Sequence, residues 1–295
     1  MKNTHFLGLF VTITGVTLLS LESLFIKLTT VSALTFAFYS SIFMFVSSNT
    51  ILLVNKKSNF LTVYKSDFKA ILICSFLLGV SNIFFISAIK NTTVANAVII
   101  FSTAPIFAAF YMYVLFREKS TKNIYISTFF IFVGLYVTFT SQIGEGETLG
   151  NIYACICISL FSLAFVVLSR YKDINIFAVI SVSSIIVVLI SFFISTNIDI
   201  DMYSLYILLL SGLLVAPFSR LFMGMGTKML PASEVSLLMI IETIMAPVWV
   251  WVFLNEVPKN STLIGGIIIL LTLVVNSLYV LHVNKKVQIG SIEVR

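Results

Sequence analysis

A small set of charged residues lies inside long apolar runs, and these side chains are the best placed to do chemistry. They are Glu22, Lys27, Arg220, Glu234 and Glu242. An ionisable residue in an apolar span costs about 2.5–3.5 kcal/mol on insertion scales and usually faces a bundle interior or water. A carboxylate in that setting can bind a polar substrate or exchange a proton. These positions therefore indicate a site that handles polar molecules within a membrane.

Glu242, in the run LLMIIETIMAP, and Arg220 are the leading candidates for this site. An ion pair between them would satisfy both charges. It could serve only to clamp two helices together, or it could form a site for a polar substrate or a proton, with Arg220 facing a substrate carboxylate. Glu22 is expected to face the same cavity. Lys27 lies about 140° from Glu22 around a helix, so these two do not pair, and Lys27 can instead snorkel to the interface.

Three further acids are expected at helix ends, in structural roles. Glu234 follows Pro231 and Ser233 in the first turn of a helix, where the helix dipole favours a carboxylate. Glu118 and Glu256 end two other helices, where an acid opposes the dipole. Such an acid needs another partner, for example amides at the start of the following helix.

The composition is that of a chain that crosses a membrane many times. Its 295 residues are 59% hydrophobic and 10% charged, against about 45–50% and about 25% in soluble domains. A membrane helix needs roughly 20 mainly apolar residues, and ten such segments can be placed. They lie at about 6–27, 32–54, 68–89, 94–115, 123–141, 150–169, 175–195, 203–226, 233–254 and 262–282. The sequence thus predicts an all-α integral membrane protein with ten transmembrane helices.

Lysine and arginine are distributed unevenly along the chain, which predicts the orientation of the helices. If the N-terminus is cytoplasmic, all but four of the 18 basic residues fall in cytoplasmic segments. Of those four, Lys90 and Lys259 lie outside, and the other two lie within spans. Basic residues concentrate in cytoplasmic loops, so both termini are predicted to be cytoplasmic and the membrane to be the cytoplasmic membrane. The cytoplasmic set includes Lys56, Lys57, Lys65, Lys69, Arg117, Lys119, Lys122, Arg170, Lys172 and Arg295.

The chain also contains an internal repeat. Shifting the sequence by 138 residues aligns residues 70–123 with 208–261 without a gap. The collinear matches and the similar hydropathy indicate a duplication. Because each repeat holds an odd number of spans, the second must be inserted upside down relative to the first. Lys90 and its counterpart Lys228 accordingly fall on opposite sides.

Two inverted five-helix repeats are therefore predicted, at 1–141 and 142–295. Inverted repeats are typical of secondary transporters, whose substrate site lies near the bilayer midplane between the repeats. The counterpart of Arg220 is Asn82, so this position is polar in both repeats. Asn82 is accordingly another candidate for the cavity.

Three stretches of the chain carry a family resemblance. They are LPASEVSLLMIIETIMAPVWVWVFLNEVPKNSTLIGGIII at 230–269, SAIKNTTVANAVIIFSTAPIFAAFYMYVLFREK at 87–119, and LLSLESLFIKL at 18–28. The chain resembles the EamA-type branch of the drug/metabolite transporter superfamily over nearly its whole length. Membership implies this fold and the export of metabolites, and it does not specify a ligand.

The chain departs from the family pattern at two places. Pro105 occupies the proline position of the first repeat, whereas Thr243 stands there in the second and Pro247 follows. Tyr39 lies in a region of the second helix where the family often has an arginine. Tyr39 is therefore included among the candidates for the substrate or proton site.

Prolines and tryptophans inside the spans allow two interpretations each. Pro105, Pro217 and Pro247 each remove a backbone donor, so they are tolerated bends or hinges. Trp249 and Trp251 are expected in the aromatic belt at the outer interface, with one of them lining the cavity as the alternative.

The sequence predicts a secondary transporter, and not an enzyme. It would export a small metabolite or amphiphilic compound, with amino acids among the candidates, by alternating access. Proton coupling and facilitated diffusion fit equally well. No G-x-x-x-x-G-K-[ST] motif is present for ATP use, and H-E-x-x-H and G-x-S-x-G are absent, which disfavours an intramembrane enzyme. A membrane adaptor or receptor is the other alternative, although no soluble domain is apparent.

No cofactor, metal or nucleic acid is expected as a partner. The three cysteines lie in apolar runs without a zinc or redox pattern, and the basic residues occupy short connections between spans. The expected partners are a small-molecule substrate and the lipid bilayer. The sequence leaves the oligomeric state open, although Gly212, Gly224 and Gly226 permit close helix packing.

Overall fold

The computed structural model describes residues 2–54, 67–118, 122–140, 147–171, 174–230, 234–235 and 238–293. These residues form helices joined by short turns, with no strand among them. The helices are α1 (Lys2–Leu28), α2 (Ala33–Val54), α3 (Phe68–Asn91), α4 (Val94–Phe101), α5 (Ala104–Phe116), α6 (Lys122–Thr140), α7 (Thr148–Leu168), α8 (Ile176–Ile194), α9 (Met202–Leu209), a π-helical segment (Leu210–Val215), α10 (Ala216–Met229), α11 (Ile240–Leu254) and α12 (Asn260–Glu293).

The helices have the length and surface of membrane-spanning segments. Among the described residues, eight helical stretches are long and apolar enough to cross a bilayer, and two shorter apolar helices cover Asn123–Thr138 and Ile240–Leu254. Large apolar side chains face outwards, among them Phe193, which is 80% exposed, and Tyr136, which is 73% exposed. Apolar side chains on an outer surface are stable when lipid covers them. The expected polytopic α-helical class is therefore confirmed.

Some residues used to predict the orientation are not described. Lys56, Lys57, Lys65, Lys119, Lys172 and Arg295 lie outside the described residues, as do Pro231 and Ser233. The last helix differs from its prediction, because α12 continues to Glu293 and not only to residue 282. A helix satisfies its own backbone hydrogen bonds, so it can continue beyond the apolar stretch.

Three segments predicted as continuous helices are interrupted: the fourth, the eighth, and the ninth, in which a turn at Met239 precedes α11. The fourth divides into α4 and α5 around Ser102 and Thr103. Pro105, in the first turn of α5, has no amide proton to donate to the preceding turn. In the eighth predicted segment, the amide of Ala216 donates to the carbonyl of Ser211, five residues earlier, at the end of the π-helical segment. Pro217 follows directly, so the wider π turn comes where the regular hydrogen-bond ladder cannot continue.

The packing of the helices follows the internal repeat. Helix α1 packs against α10 and α11, and α7 packs against α3, α4 and α5. When the first repeat is mapped onto the second, the helices that contact α1 correspond to the helices that contact α7. The pairs α2–α8 and α6–α12 also pack closely and map onto themselves. The first helix of each repeat is therefore packed mainly against the other repeat.

Small residues allow the two repeats to approach closely. A Cβ at Gly226 would overlap the Thr12 hydroxyl of α1, and a Cβ at Gly212 would lie 2.6 Å from the Phe43 Cβ of α2. By contrast, a Cβ at Gly224 would meet no described heavy atom within 4 Å. Thus two of the three glycines noted in this region form close crossings.

A central apolar cluster lies where these helices meet. It contains buried residues from α1, α2, α3, α4, α8, α9 and α11, so it includes both repeats. Its members are Leu24, Ile26, Phe36, Ala37, Ile86, Ile89, Val94, Ala97, Val98, Val187, Leu208, Ala246 and Val250.

Candidate substrate site and the ion pairs around it

Arg220 and Glu22 meet across the contact between α10 and α1. Their side chains lie 3.8 Å apart and are 28% and 15% exposed. Arg220 also donates to the Ala216 carbonyl one turn earlier, at 3.0 Å. The sequence suggested an ion pair between Arg220 and Glu242. The structure instead gives Arg220 a direct partner in the first helix of the other repeat.

Glu242 is the third charged group near this pair. The charges of both Glu22 and Arg220 act on its carboxyl group. Among the described residues, no side chain lies within hydrogen-bonding or ion-pairing distance of that carboxyl group. Glu22, Arg220 and Glu242 together form what we call the central site. It draws its charges from both repeats.

The direction in which Glu242 points follows from its helix. Residues four, seven and eight positions later share its face of α11, and these are Ala246, Trp249 and Val250. Ala246 and Val250 are buried in the central cluster. The opposite face carries Ile244 and Trp251, which are 48% and 51% exposed. Glu242 therefore faces the interior of the bundle.

The local backbone also favours an acid at this position. Glu242 lies in the first turn of α11, which begins at Ile240 after a turn at Met239. The amide of Glu242 donates to the Met239 carbonyl at 3.1 Å, and the positive end of the α11 dipole favours negative charge in this turn. The counterpart of Glu242 in the first repeat is Ala104, the first residue of α5. Both positions thus begin a half-helix, and only the second carries a charge.

Trp249 lies above Glu242 on the same face of α11. Its indole Nε1 donates to the Ser20 hydroxyl of α1 at 2.9 Å, and its ring packs against the central cluster. The two tryptophans therefore differ, because Trp249 faces the interior and Trp251 faces outwards. Ser20 and Glu22 are two residues apart and so point to different faces of α1, with Ser20 turned towards α11.

Asn82 lies on the face of α3 that enters the central cluster. It is half-buried, and Ile86 and Ile89 follow one and two turns later as members of that cluster. Ser81 points to a different face of α3, where its hydroxyl donates to the Cys157 carbonyl of α7. Asn82 is thus turned towards the interior, without a described contact to Glu22, Arg220 or Glu242.

Lys27 belongs to a separate polar layer at the end of α1. Its ammonium lies 3.0 Å from Glu256 and donates to the Thr92 carbonyl at 2.9 Å. Glu256 also accepts a hydrogen bond of 2.7 Å from the amide of Val94, the first residue of α4. The amide that supports Glu256 therefore comes from the other repeat, and not from the helix that follows Glu256.

Other polar contacts extend this Lys27 layer. Lys90 donates to the Thr29 carbonyl at 2.5 Å. Tyr39 donates to the Ile198 carbonyl at 3.1 Å, so its hydroxyl is held in this layer. Lys259 pairs with Glu147 at 3.6 Å.

Asp201 caps the start of α9 in the same layer. Its carboxylate accepts a 3.0 Å hydrogen bond from the amide of Ser204. Hydrogen bonds from the hydroxyl and the amide of Ser204 lower the pKa of Asp201. Asp201 therefore stays ionised at neutral pH and can keep this cap in place.

The opposite end of the bundle has its own ion pairs. Glu118 lies 2.5 Å from Arg170, whose guanidinium stacks over the Phe116 ring at 4.1 Å from the centroid. Glu234 lies 2.9 Å from His5 at the start of α1. We call this set the Arg170 layer. Sequence reasoning missed Arg170 as the partner of Glu118. Arg170 nevertheless lies close to the end of α7, as Lys27 lies close to the end of α1.

Helices with apolar outer faces, packed as two interleaved repeats around buried charges, define a multi-pass membrane protein with the architecture of a transporter. The profile of the EamA-like transporter family matches residues 6–140 and 148–278. The chain therefore belongs to the EamA-like transporter family, as the sequence resemblance suggested.

Structural comparison supports the same fold. A crystal structure described only as that of a protein shares 16% sequence identity with this chain. It superposes with a TM-score of 0.64 over 94% of this chain and 98% of the other. No curated protein matches the sequence. Among the described residues, no group of His, Cys, Asp and Glu is arranged to hold a metal ion.

Proposed function

We propose that this protein is a secondary transporter that exports a small molecule across the cytoplasmic membrane by alternating access. In this proposal the chain crosses the membrane ten times, with both termini in the cytoplasm. The main support for this proposal is the central site, where Glu22 of one repeat and Arg220 and Glu242 of the other approach each other inside the bundle. Charged groups in the interior of a membrane bundle mark substrate or ion pathways.

The ion pairs between the repeats support the alternating-access mechanism. Glu118 and Glu256 are equivalent in the repeat and lie at opposite ends of the bundle. Each pairs with a base near the end of its repeat-equivalent helix, Arg170 in one case and Lys27 in the other. In the proposed topology the Lys27 layer faces outwards and the Arg170 layer faces the cytoplasm. Opening either side then requires its own ion pair to separate.

Glu242 is the proposed proton carrier. Its carboxyl group faces the interior and has no direct partner among the described side chains, so it can exchange a proton without breaking an ion pair. Glu22 is less suited to this role, because its charge is already opposed by Arg220 at 3.8 Å. A proton on Glu242 and a bound substrate would then alternate, which couples export to proton entry.

Flux in proteoliposomes tests this proposal. Purified protein is reconstituted and a panel of metabolites is measured with a pH gradient of either sign and without one. We expect wild-type flux to depend on the gradient, and Glu242→Gln to transport without that dependence or not at all. Asp67→Asn, which alters an exposed acid before α3 whose side chain makes no cap hydrogen bond, is the matched control. Gradient-dependent flux that survives in Glu242→Gln would contradict the role of Glu242, and an absence of flux for every compound would contradict transport.

A further inference from the structure

We propose that the central site selects an organic cation with an apolar body. This inference rests on the proposed transport function and adds the chemical class of the substrate. The site contains carboxylates at Glu22 and Glu242 and one guanidinium at Arg220. Acidic charge is therefore in excess by one when both carboxylates are ionised. A single positive charge on the substrate would neutralise it.

The contacts assign the excess charge to Glu242. Arg220 is directed at Glu22 and is also held by the Ala216 carbonyl. Its guanidinium therefore donates to a carbonyl of its own helix, and its charge is opposed by Glu22 of α1. Glu242 has no such partner among the described side chains. A cation that entered the site would thus find one carboxylate ready to receive it.

The face of α11 that carries Glu242 enters the central cluster through Ala246 and Val250, and the aromatic rings around that cluster suit an organic cation better than a hydrated metal ion. Trp249 lies two turns away on the same face of α11, and its indole is fixed by Ser20. Phe85 and Phe101 stack with centroids 5.0 Å apart and, like Trp249, pack against the central cluster. Aromatic faces attract ammonium groups and cover apolar substituents. Carboxylate and aromatic groups together match a positively charged head on an apolar body.

The same charges disfavour other substrates. An anion would approach two carboxylates and would have to compete with Glu22 for Arg220. A zwitterion such as an amino acid would bring no net charge and so could not replace the proton that otherwise neutralises Glu242. Unpaired charge is costly inside a membrane protein, so both classes are expected to bind less tightly than a cation of the same size.

Fluorescence of Trp249 gives a direct binding test. The chain has two tryptophans, and the Trp251→Phe variant leaves Trp249 as the only one. The probes are (3-hydroxyphenyl)trimethylammonium and its uncharged isostere 3-tert-butylphenol, together with benzoate as the anion and phenylalanine as the zwitterion. We expect the cation to change Trp249 fluorescence with a Kd at least tenfold lower than those of the other three probes.

Variants of Glu242 separate charge from folding. In the Trp251→Phe background, Glu242→Gln should weaken cation binding at least tenfold, while Glu242→Asp, which keeps the charge, should retain most of it. Asp67→Asn, at an exposed acid outside the site and both ion-pair layers, should leave binding unchanged. Equal affinity for the cation and its isostere, or unchanged cation affinity in Glu242→Gln, would overturn the assignment. Tighter binding of benzoate or phenylalanine would overturn it as well.

Flux distinguishes this inference from the proposed function. If the protein transports anions, zwitterions or neutral compounds in a Glu242-dependent manner but does not bind the cation, transport holds and the substrate class is wrong. If the cation binds with the expected charge dependence and no compound is transported, the cation site holds and transport is wrong.

Discussion

Glu22 and Arg220 depend on each other more than their sequence positions suggest. Each is a charge in an apolar helix, and the 3.8 Å pair joins the two repeats. Removing one member of a desolvated ion pair leaves the other without compensation, and this loss usually exceeds the net stabilisation from the intact pair. Here Glu242 adds a second negative charge nearby, so the loss of Arg220 would leave two carboxylates facing each other.

This dependence predicts a non-additive double mutant. Arg220→Gln should lower the midpoint of thermal unfolding in detergent, and Glu22→Gln in the same chain should recover part of the loss. The expected coupling is about 0.5–3 kcal/mol, the range for residues in direct contact. Thermal unfolding of the wild type, both single variants and the double variant measures it. Additive effects would show that the two side chains do not interact in the folded protein.

At the scale of the helices, the glycines of α10 divide by their contacts. Gly226 faces Thr12 on α1 so closely that a methyl group would overlap the hydroxyl, whereas Gly224 has open space at its Cβ position. Of these two glycines, only Gly226 is therefore needed for the close crossing of α1 and α10. Because α1 carries Glu22 and α10 carries Arg220, this crossing also determines whether the central site can form.

Substituting the two glycines by alanine tests this difference. Gly226→Ala should lower the free energy of unfolding by about 1–3 kcal/mol, the usual cost of overpacking. Gly224→Ala should be neutral or slightly stabilising, because alanine is the better helix former. Unfolding curves in detergent measure both. A similar destabilisation by the two substitutions would argue against the close crossing at Gly226.

The equivalent ion pairs at the two ends of the bundle predict opposite shifts in conformation. Glu256→Gln weakens the Lys27 layer, which also uses Glu256 to hold the amide of Val94. Glu118→Gln weakens the Arg170 layer. An Asn82→Cys reporter on the interior face of α3 should therefore react faster with an impermeant reagent added outside in the first variant, and more slowly in the second. Equal rates in both variants would show that the two pairs do not control access.

For the whole molecule, the proposed orientation can be tested at two exposed positions. Thr196 lies in the connection between α8 and α9, and Lys69 lies at the start of α3. Thr196→Cys should be labelled by an impermeant maleimide in intact cells, and Lys69→Cys only after the cells are opened. The native cysteines are replaced first, because Cys155 is exposed. The reverse pattern would place both termini outside.

The class of the molecule could be predicted from sequence, because length, hydropathy and repeat spacing depend on local residue types. The positions of Glu22, Arg220 and Glu242 inside the bundle also follow from their spans. The sequence does not reveal which of these three residues form a pair, because the distance between two side chains depends on how closely Gly226 lets α10 approach α1. The partner of Glu256 was missed for the same reason, because Lys27 and Val94 reach it only after the repeats interleave.

The interleaving of α1 with α10 and α11 has a consequence for biosynthesis. Glu22 leaves the ribosome about 200 residues before its counter-charge Arg220, which at 5–20 residues per second is about 10–40 s. During that interval the first helix must rest in the membrane or its insertion machinery with an uncompensated carboxylate. A truncated nascent chain that ends before Arg220 should consequently be a preferred target for quality-control proteases.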